Sequence, residues 1–193
     1  LLHPARTLLV GLGDYPTATS MVTWNAWATF HAPGRLFQPP FFYPYSNGVA
    51  YQQSAFFTGL LAAIPLSLGL APVHTVNLLL LASVVTSGAL TYFLAYSLTS
   101  QVLPSLLAGV VFAFYPNRLD HIGQFTYQQA FLFPLVVWAA YRFLLRGRWR
   151  DLVLAAGGLW AQMLSSLYNG YALSLLLVAL AAAILLLRPE CLT

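Results

Sequence analysis

The sequence predicts an all-α protein, a multipass transmembrane helical bundle of about five spanning helices with interfacial helices in a long first outer loop. Three observations carry that expectation. Of 193 residues, 60% are hydrophobic and 6% charged, with a mean hydropathy of +0.75, a composition that suits a bilayer rather than a soluble domain. Long uncharged runs are separated by short polar turns. Most charges fall beside Asp14, in Asn117-Arg118-Leu119-Asp120-His121, or in the basic block Arg146-Gly147-Arg148-Trp149-Arg150.

Residues 1–13 hold His3, Pro4 and Arg6 and would reach about 20 Å as a helix, short of the roughly 30 Å hydrocarbon core. We read them as the end of a first transmembrane helix or the sequence just after it, and the chain as a fragment. Residues 1–73 then form the first extracytoplasmic loop. Within it, 20–31 reads as a short amphipathic helix with Met21, Trp24, Ala28 and Phe30 near one side. The stretch 37–51, dense in Phe, Tyr and Pro, suits an interfacial aromatic belt. The apolar segment 55–70 is interrupted by Pro65 and Gly69 and closed by Pro72, and a broken helix at the outer interface is preferred to a full crossing.

The transmembrane part, 74–193, contains the expected spans 74–97, 99–115, 129–145, 152–167 and 170–187. Arg142, Arg146, Arg148 and Arg150 lie between the third and fourth, and the positive-inside rule makes that turn cytoplasmic. Counting outward puts Arg188 and the 97–101 turn inside, and Asp14, the 117–128 loop and the 168–170 turn outside. Ser83, Ser87, Gly88 and Thr91, then Ala108, Gly109 and Ala113, then Gly157 and Gly158 are expected at helix contacts, because small side chains let helices approach. Gln162, Ser165 and Ser166 suit interhelical hydrogen bonds, with pocket lining as the alternative for all three.

Several functions are set aside. The formal +4 is carried by dispersed arginines without any lysine, which does not form a nucleic-acid footprint. Cys191 is the only cysteine, so neither an intrachain disulfide nor a cysteine metal cage can form. No phosphate-cradling glycine loop, hydrolase triad order or His-x-x-x-His pair occurs, no metal-ligand set is assigned, and His3, His31 and His74 are isolated.

Chemistry is expected in the two outer loops. Asp14, after Gly11-Leu12-Gly13, can take a proton from an attacking hydroxyl, hold a divalent cation, or simply cap the next helix. Arg118 can grip a phosphate, Asp120 can act as base or metal ligand, and His121 is suited to proton transfer. An Arg118–Asp120 pair with His121 capping the following helix is the structural alternative. Gln124 belongs to the polar run 123–129 that completes the loop.

The order Gly13-Asp14, Trp24-x-x-Trp27, Pro33-Gly34-Arg35-Leu36-Phe37, Phe42-Tyr43-Pro44, Pro65, Asn77-Leu78, Ala108-Gly109 through Tyr115-Pro116, Arg118-x-x-His121 and Pro134-Leu135 resembles bacterial multipass proteins of the GT-C glycosyltransferase class, including dolichyl-phosphate-mannose mannosyltransferase and YfhO-type relatives. The resemblance extends over nearly the whole chain. It implies an enzyme of the bacterial inner membrane, with more helices than this chain, that passes a sugar from a polyprenyl-phosphate carrier to an acceptor at the extracytoplasmic face. Asp14 matches the family's first-loop acid and likewise its base, and Asp120 or His121 the second loop that completes the site. Arg118, with Arg35 or His121, would stabilise the departing lipid phosphate, and Gln124 and Gln162 would contact substrate. The chain departs from the pattern in that Asp14 has no adjacent second acid and Asp120 stands alone. The competing expectation is a non-catalytic transporter or lipid-binding multipass protein.

Overall fold

The computed structural model describes residues 13–187; His3, Arg6, Arg188, Glu190 and Cys191, and the expectations resting on them, lie outside the described residues. Regular structure there is helical throughout. The α-helices are α1 (Tyr15–His31), α2 (Phe56–Ser67), α3 (Pro72–Thr99), α4 (Val102–Ala113), α5 (Pro116–Asp120), α6 (Phe133–Arg146), α7 (Trp149–Ser165) and α8 (Leu167–Leu187). Short 3-10 turns at Pro33–Arg35, Pro40–Phe42 and Gly48–Tyr51 occupy the aromatic stretch between α1 and α2.

Three helical stretches are long and apolar enough to cross a membrane: Pro72–Thr99, Val102–Asp120 and Leu167–Leu187. The second is broken at Phe114 and Tyr115, just ahead of Pro116. Two expected spans are shorter. Helix α6 has 14 residues and α7 has 17, about 21 and 25 Å at 1.5 Å per residue. Helix α6 starts only at Phe133 because residues 129–132 are taken up by turns, with Pro134 in its first turn. Helix α7 starts at Trp149, three residues before the expected boundary, with Asp151 in the first turn where a carboxylate favours the helix dipole.

Packing divides the chain into two compact units. One holds the described residues up to Ser83 together with Pro116–Gln129 and Leu164–Ser166. Its core gathers Tyr15, Ala18, Val22 and Ala26 of α1 with Ala62, Val76, Leu80 and Phe125. The inward stripe of α1 therefore begins at Tyr15 and recurs every three or four residues, as a helix requires. Met21 and Ala28 are buried, whereas Phe30 is 67% exposed and Trp24 half-buried, so the four do not share one side as expected.

Helix α2 packs on α1 at a close approach. A Cβ added at Gly59 would lie 2.5 Å from Asn25 Cβ and 3.3 Å from Val22 O. At 12 residues, about 18 Å, α2 is shorter than a bilayer core, in keeping with the preferred reading of 55–70. Pro65 sits inside its last turn, and Gly69, at φ 86°, closes the helix by donating to Leu66 O at 3.0 Å.

The second unit comprises Val84–Tyr115, Ala130–Met163 and the residues from 167 onward. Here α3 and α4 cross at two glycines: a Cβ on Gly109 would come within 2.7 Å of Gly88 O, and one on Gly88 within 3.2 Å of Ala113 Cβ. Gly158 of α7 lies against Val136 of α6. Gly157, expected at a contact, has open space where a side chain would be. Helix α8 is apolar around its circumference, with Leu175, Val178, Leu186 and Leu187 exposed, as expected of a lipid-facing span.

Gly59→Ala should destabilise the α1–α2 pair. Overpacking against the backbone-anchored Asn25 Cβ costs about 1 to 3 kcal/mol, against roughly 1 kcal/mol gained in helix propensity. A lower thermal midpoint in detergent is expected; an unchanged or raised midpoint would show that the helices separate freely.

Candidate functional site

The first unit brings the two predicted loops together through main chain. The Asp14 amide donates to Gly123 O at 3.0 Å, and a Cβ on Gly13 would collide with Gly123 O at 2.4 Å. Two chain segments can approach this closely because Gly13 has no side chain. Asp14 caps α1 by accepting from the Ala18 amide at 2.8 Å through its own carbonyl, while its carboxylate makes no capping bond and remains exposed. The carboxylate is therefore presented beside the 117–128 loop.

Arg118, expected at a phosphate, is 2% exposed. Its Nε donates to Gln128 Oε1 at 3.0 Å, and its Nη2 donates to Gln128 O at 2.8 Å and Ser83 Oγ at 3.3 Å. Gln128 answers with Nε2, which donates to Arg118 O at 2.9 Å and His121 O at 2.8 Å. Ser83 Oγ also donates to Gln128 O, at 2.7 Å. This network joins α5, the following turns and α3, and gives the guanidinium a holding role inside the protein.

Beside it, Tyr15 packs edge-on against Phe125, ring centroids 5.7 Å apart, and its buried hydroxyl has no hydrogen-bond partner among the described residues. Burial pushes the Tyr15 phenol up to about 12, although the nearby Arg118 charge pulls the other way. The phenol is thus neutral at any physiological pH.

The rim is polar and accessible. Asp120 and Gln124 are exposed and His121 is half-buried. His121 Nδ1 lies 2.9 Å from Asn117 O, and a carbonyl can only accept, so Nδ1 carries a proton. Its ring stacks on Tyr127 at 4.8 Å, and Asn117 Nδ2 donates to the Tyr127 hydroxyl. Among the described residues no three His, Cys, Asp or Glu side chains gather as a metal-holding group.

Arg35 ends an exposed 3-10 turn in the same unit, and the Trp24 indole fastens the adjacent Leu36 by donating to its carbonyl at 2.9 Å. Alongside, α1 and α2 enclose an apolar groove of about 610 Å³, lined by Trp27, Phe30, His31, Leu60 and Ile64 among others. His31 stacks on Trp27 with its Nδ1 2.9 Å from Trp27 O, which accounts for that histidine locally. Gln162 belongs to the second unit, fully buried, where its Oε1 accepts from the Leu132 amide at 3.3 Å and so caps the start of α6. That is the interhelical hydrogen bond expected of it. Ser166 is buried in the first unit and donates to Gln53 Oε1 at 3.4 Å.

Sequence reasoning did not single out Tyr15, Ser83's bond to the outer loop, Gln128 or Gly123. Gly123 and Gln128 stood within the polar run, but nothing local names their partners. No protein-family model, no curated protein and no solved structure matches this chain.

Two outcomes are expected. Arg118→Met should lower the thermal midpoint without any ligand present, since each buried acceptor left bare costs about 1 to 3 kcal/mol, whereas loss of a pure phosphate clamp would leave it unchanged. The raised Tyr15 pKa means the unfolded state ionises first, so its contribution is intact below pH 10 and is lost as pH rises towards about 12. Tyr15→Phe should therefore show a smaller fall in thermal midpoint between pH 8 and pH 11 than wild type; equal falls would place the sensitivity elsewhere.

Proposed function

We propose that this chain belongs to a membrane-embedded transferase that moves a sugar from a polyprenyl-phosphate carrier to an acceptor hydroxyl at the extracytoplasmic face of the inner membrane. The observation that carries this reading is the Asp14–Gly123 main-chain bond, which sets an exposed carboxylate beside a loop offering His121, Asp120 and Gln124. Asp14 and Gly123 on one face fit an even number of crossings between them, and Pro72–Thr99 and Val102–Asp120 are the two stretches there long and apolar enough to provide them.

In the proposed reaction the acceptor oxygen bonds to the anomeric carbon as the bond from that carbon to the carrier phosphate oxygen breaks. Asp14 takes the hydroxyl proton, and the carrier phosphate leaves as an anion. Arg35 and His121 are the groups assigned to that anion, because the Arg118 guanidinium already faces Gln128 and Ser83. The groove between α1 and α2 is a fitting bed for an isoprenoid tail.

The second reading, a non-catalytic lipid-binding or transport protein, draws on the same groove. Asp14→Asn separates the two. With a radiolabelled polyprenyl-phosphate sugar and membranes carrying the complete protein, transfer should fall about 10²- to 10⁴-fold at unchanged protein level. Retained turnover would reject the role of Asp14, and carrier binding without any turnover in wild type would favour the second reading.

A further inference from the structure

Three arginines at the α6–α7 turn have no counter-charge among the described residues and stand at a sharp border between polar and apolar surface. Gly147, at φ 62°, ends α6 by donating to Phe143 O at 2.8 Å, and Arg148 O accepts from the Asp151 amide at 3.0 Å to start α7. This two-residue connection confines Arg146, Arg148 and Arg150 to one end of the helix pair, and all three are exposed. The fourth basic residue nearby, Arg142, is neutralised: its Nε lies 3.4 Å from Asp151 Oδ1 and its guanidinium sits 4.4 Å from the Trp138 ring centre. Among the described residues no carboxylate pairs with Arg146, Arg148 or Arg150, so a net charge of about +3 remains on five residues.

One helical turn later the surface changes character. Leu152, Val153 and Leu154 are exposed in succession, while Asp151 and Ala155 point inward. Exposed apolar side chains over that much of a helix circumference fit hydrocarbon, not water. Trp149, 68% exposed between the arginines, is the residue type that settles at the headgroup layer. Polar-to-apolar transition, interfacial tryptophan and unpaired guanidiniums therefore fall at the same depth, where a bilayer carries its phosphates.

We propose that the Arg146–Arg148–Arg150 turn is a binding site for the phosphate headgroups of anionic phospholipids, independent of the transfer reaction. Trp149 sets the depth, and the arginines hold the charge by surface attraction rather than in a closed pocket. Their flexible, exposed side chains match a fluid, multivalent surface, and Arg150 already lies along the Trp149 ring at 5.8 Å.

Native mass spectrometry of the purified chain in neutral detergent, with phosphatidylglycerol or phosphatidylcholine added, tests this. Wild type should retain phosphatidylglycerol in preference, Arg148→Gln alone should weaken that preference about fivefold, the attraction of a single basic residue to an anionic surface, and the triple Gln variant should abolish it. The triple Lys variant should keep most of the preference, since charge rather than bidentate geometry is invoked. Unchanged phosphatidylglycerol retention in Arg148→Gln and the triple Gln variant, with helical circular dichroism preserved, would overturn the proposal. Displacement of the lipid by inorganic phosphate, beyond that by chloride of equal ionic strength, would overturn it in favour of a free-anion site.

Discussion

Burying the Arg118 guanidinium is the constraint around which the first unit is organised. A permanently charged group with five N–H donors cannot leave water unless acceptors are brought to it, and those acceptors must then stay in place. Gln128 contributes both its side-chain and main-chain oxygens, Ser83 contributes its hydroxyl, and Gln128 Nε2 ties the arrangement back to Arg118 O and His121 O. A five-residue helix, a run of turns and the first half of α3 become a single support. The Gly123 carbonyl that receives the Asp14 amide is part of that run of turns, so the position of the exposed carboxylate follows from a charge that never meets solvent.

The two units solve the packing of apolar helices in a related way. A hydrophobic driving force between helices is weak where the surroundings are themselves apolar, and close van der Waals contact takes its place. Gly88 against Gly109 brings α3 and α4 together, Gly158 admits Val136, and Gly59 admits Asn25. At each of these places the missing side chain on one helix accommodates an atom of the other. Asn25 also donates through Nδ2 to the Ser54 carbonyl ahead of α2, so one buried polar side chain serves both the crossing and the entry into the next helix.

The all-helical class and the helix positions were readable because hydropathy, proline and glycine act locally. The lengths of α6 and α7 were less so, since residues 129–132 are apolar enough to resemble helix but are held in turns, and the cap on Leu132 comes from Gln162, thirty residues away. The small residues at 88, 109 and 158 announced contacts, whereas Gly157 carries the same local signal and a side chain there would meet open space. Asp14, Asp120, His121 and Gln124 were found at an accessible rim as their polarity suggested. The neighbours of Arg118 were not legible for a physical reason: Gln128 and Ser83 are neutral acceptors, Ser83 lies 35 residues back in α3, and no spacing rule links an arginine to a serine and a glutamine so placed. Tyr15 escaped notice because an aromatic after a loop acid looks like ordinary core until the charge beside it is known.

The joint between the loops consists of main-chain atoms and an absent Cβ. Its geometry makes no demand on the side chains of residues 14, 120 or 124. Those positions are chemically interchangeable in a way that Gly13, Ser83, Arg118 and Gln128 are not, so a lineage could exchange one acid, base or amide for another at the rim while the frame beneath kept its shape. A scaffold of this kind separates what a protein must conserve to stand from what it can alter to meet a different substrate.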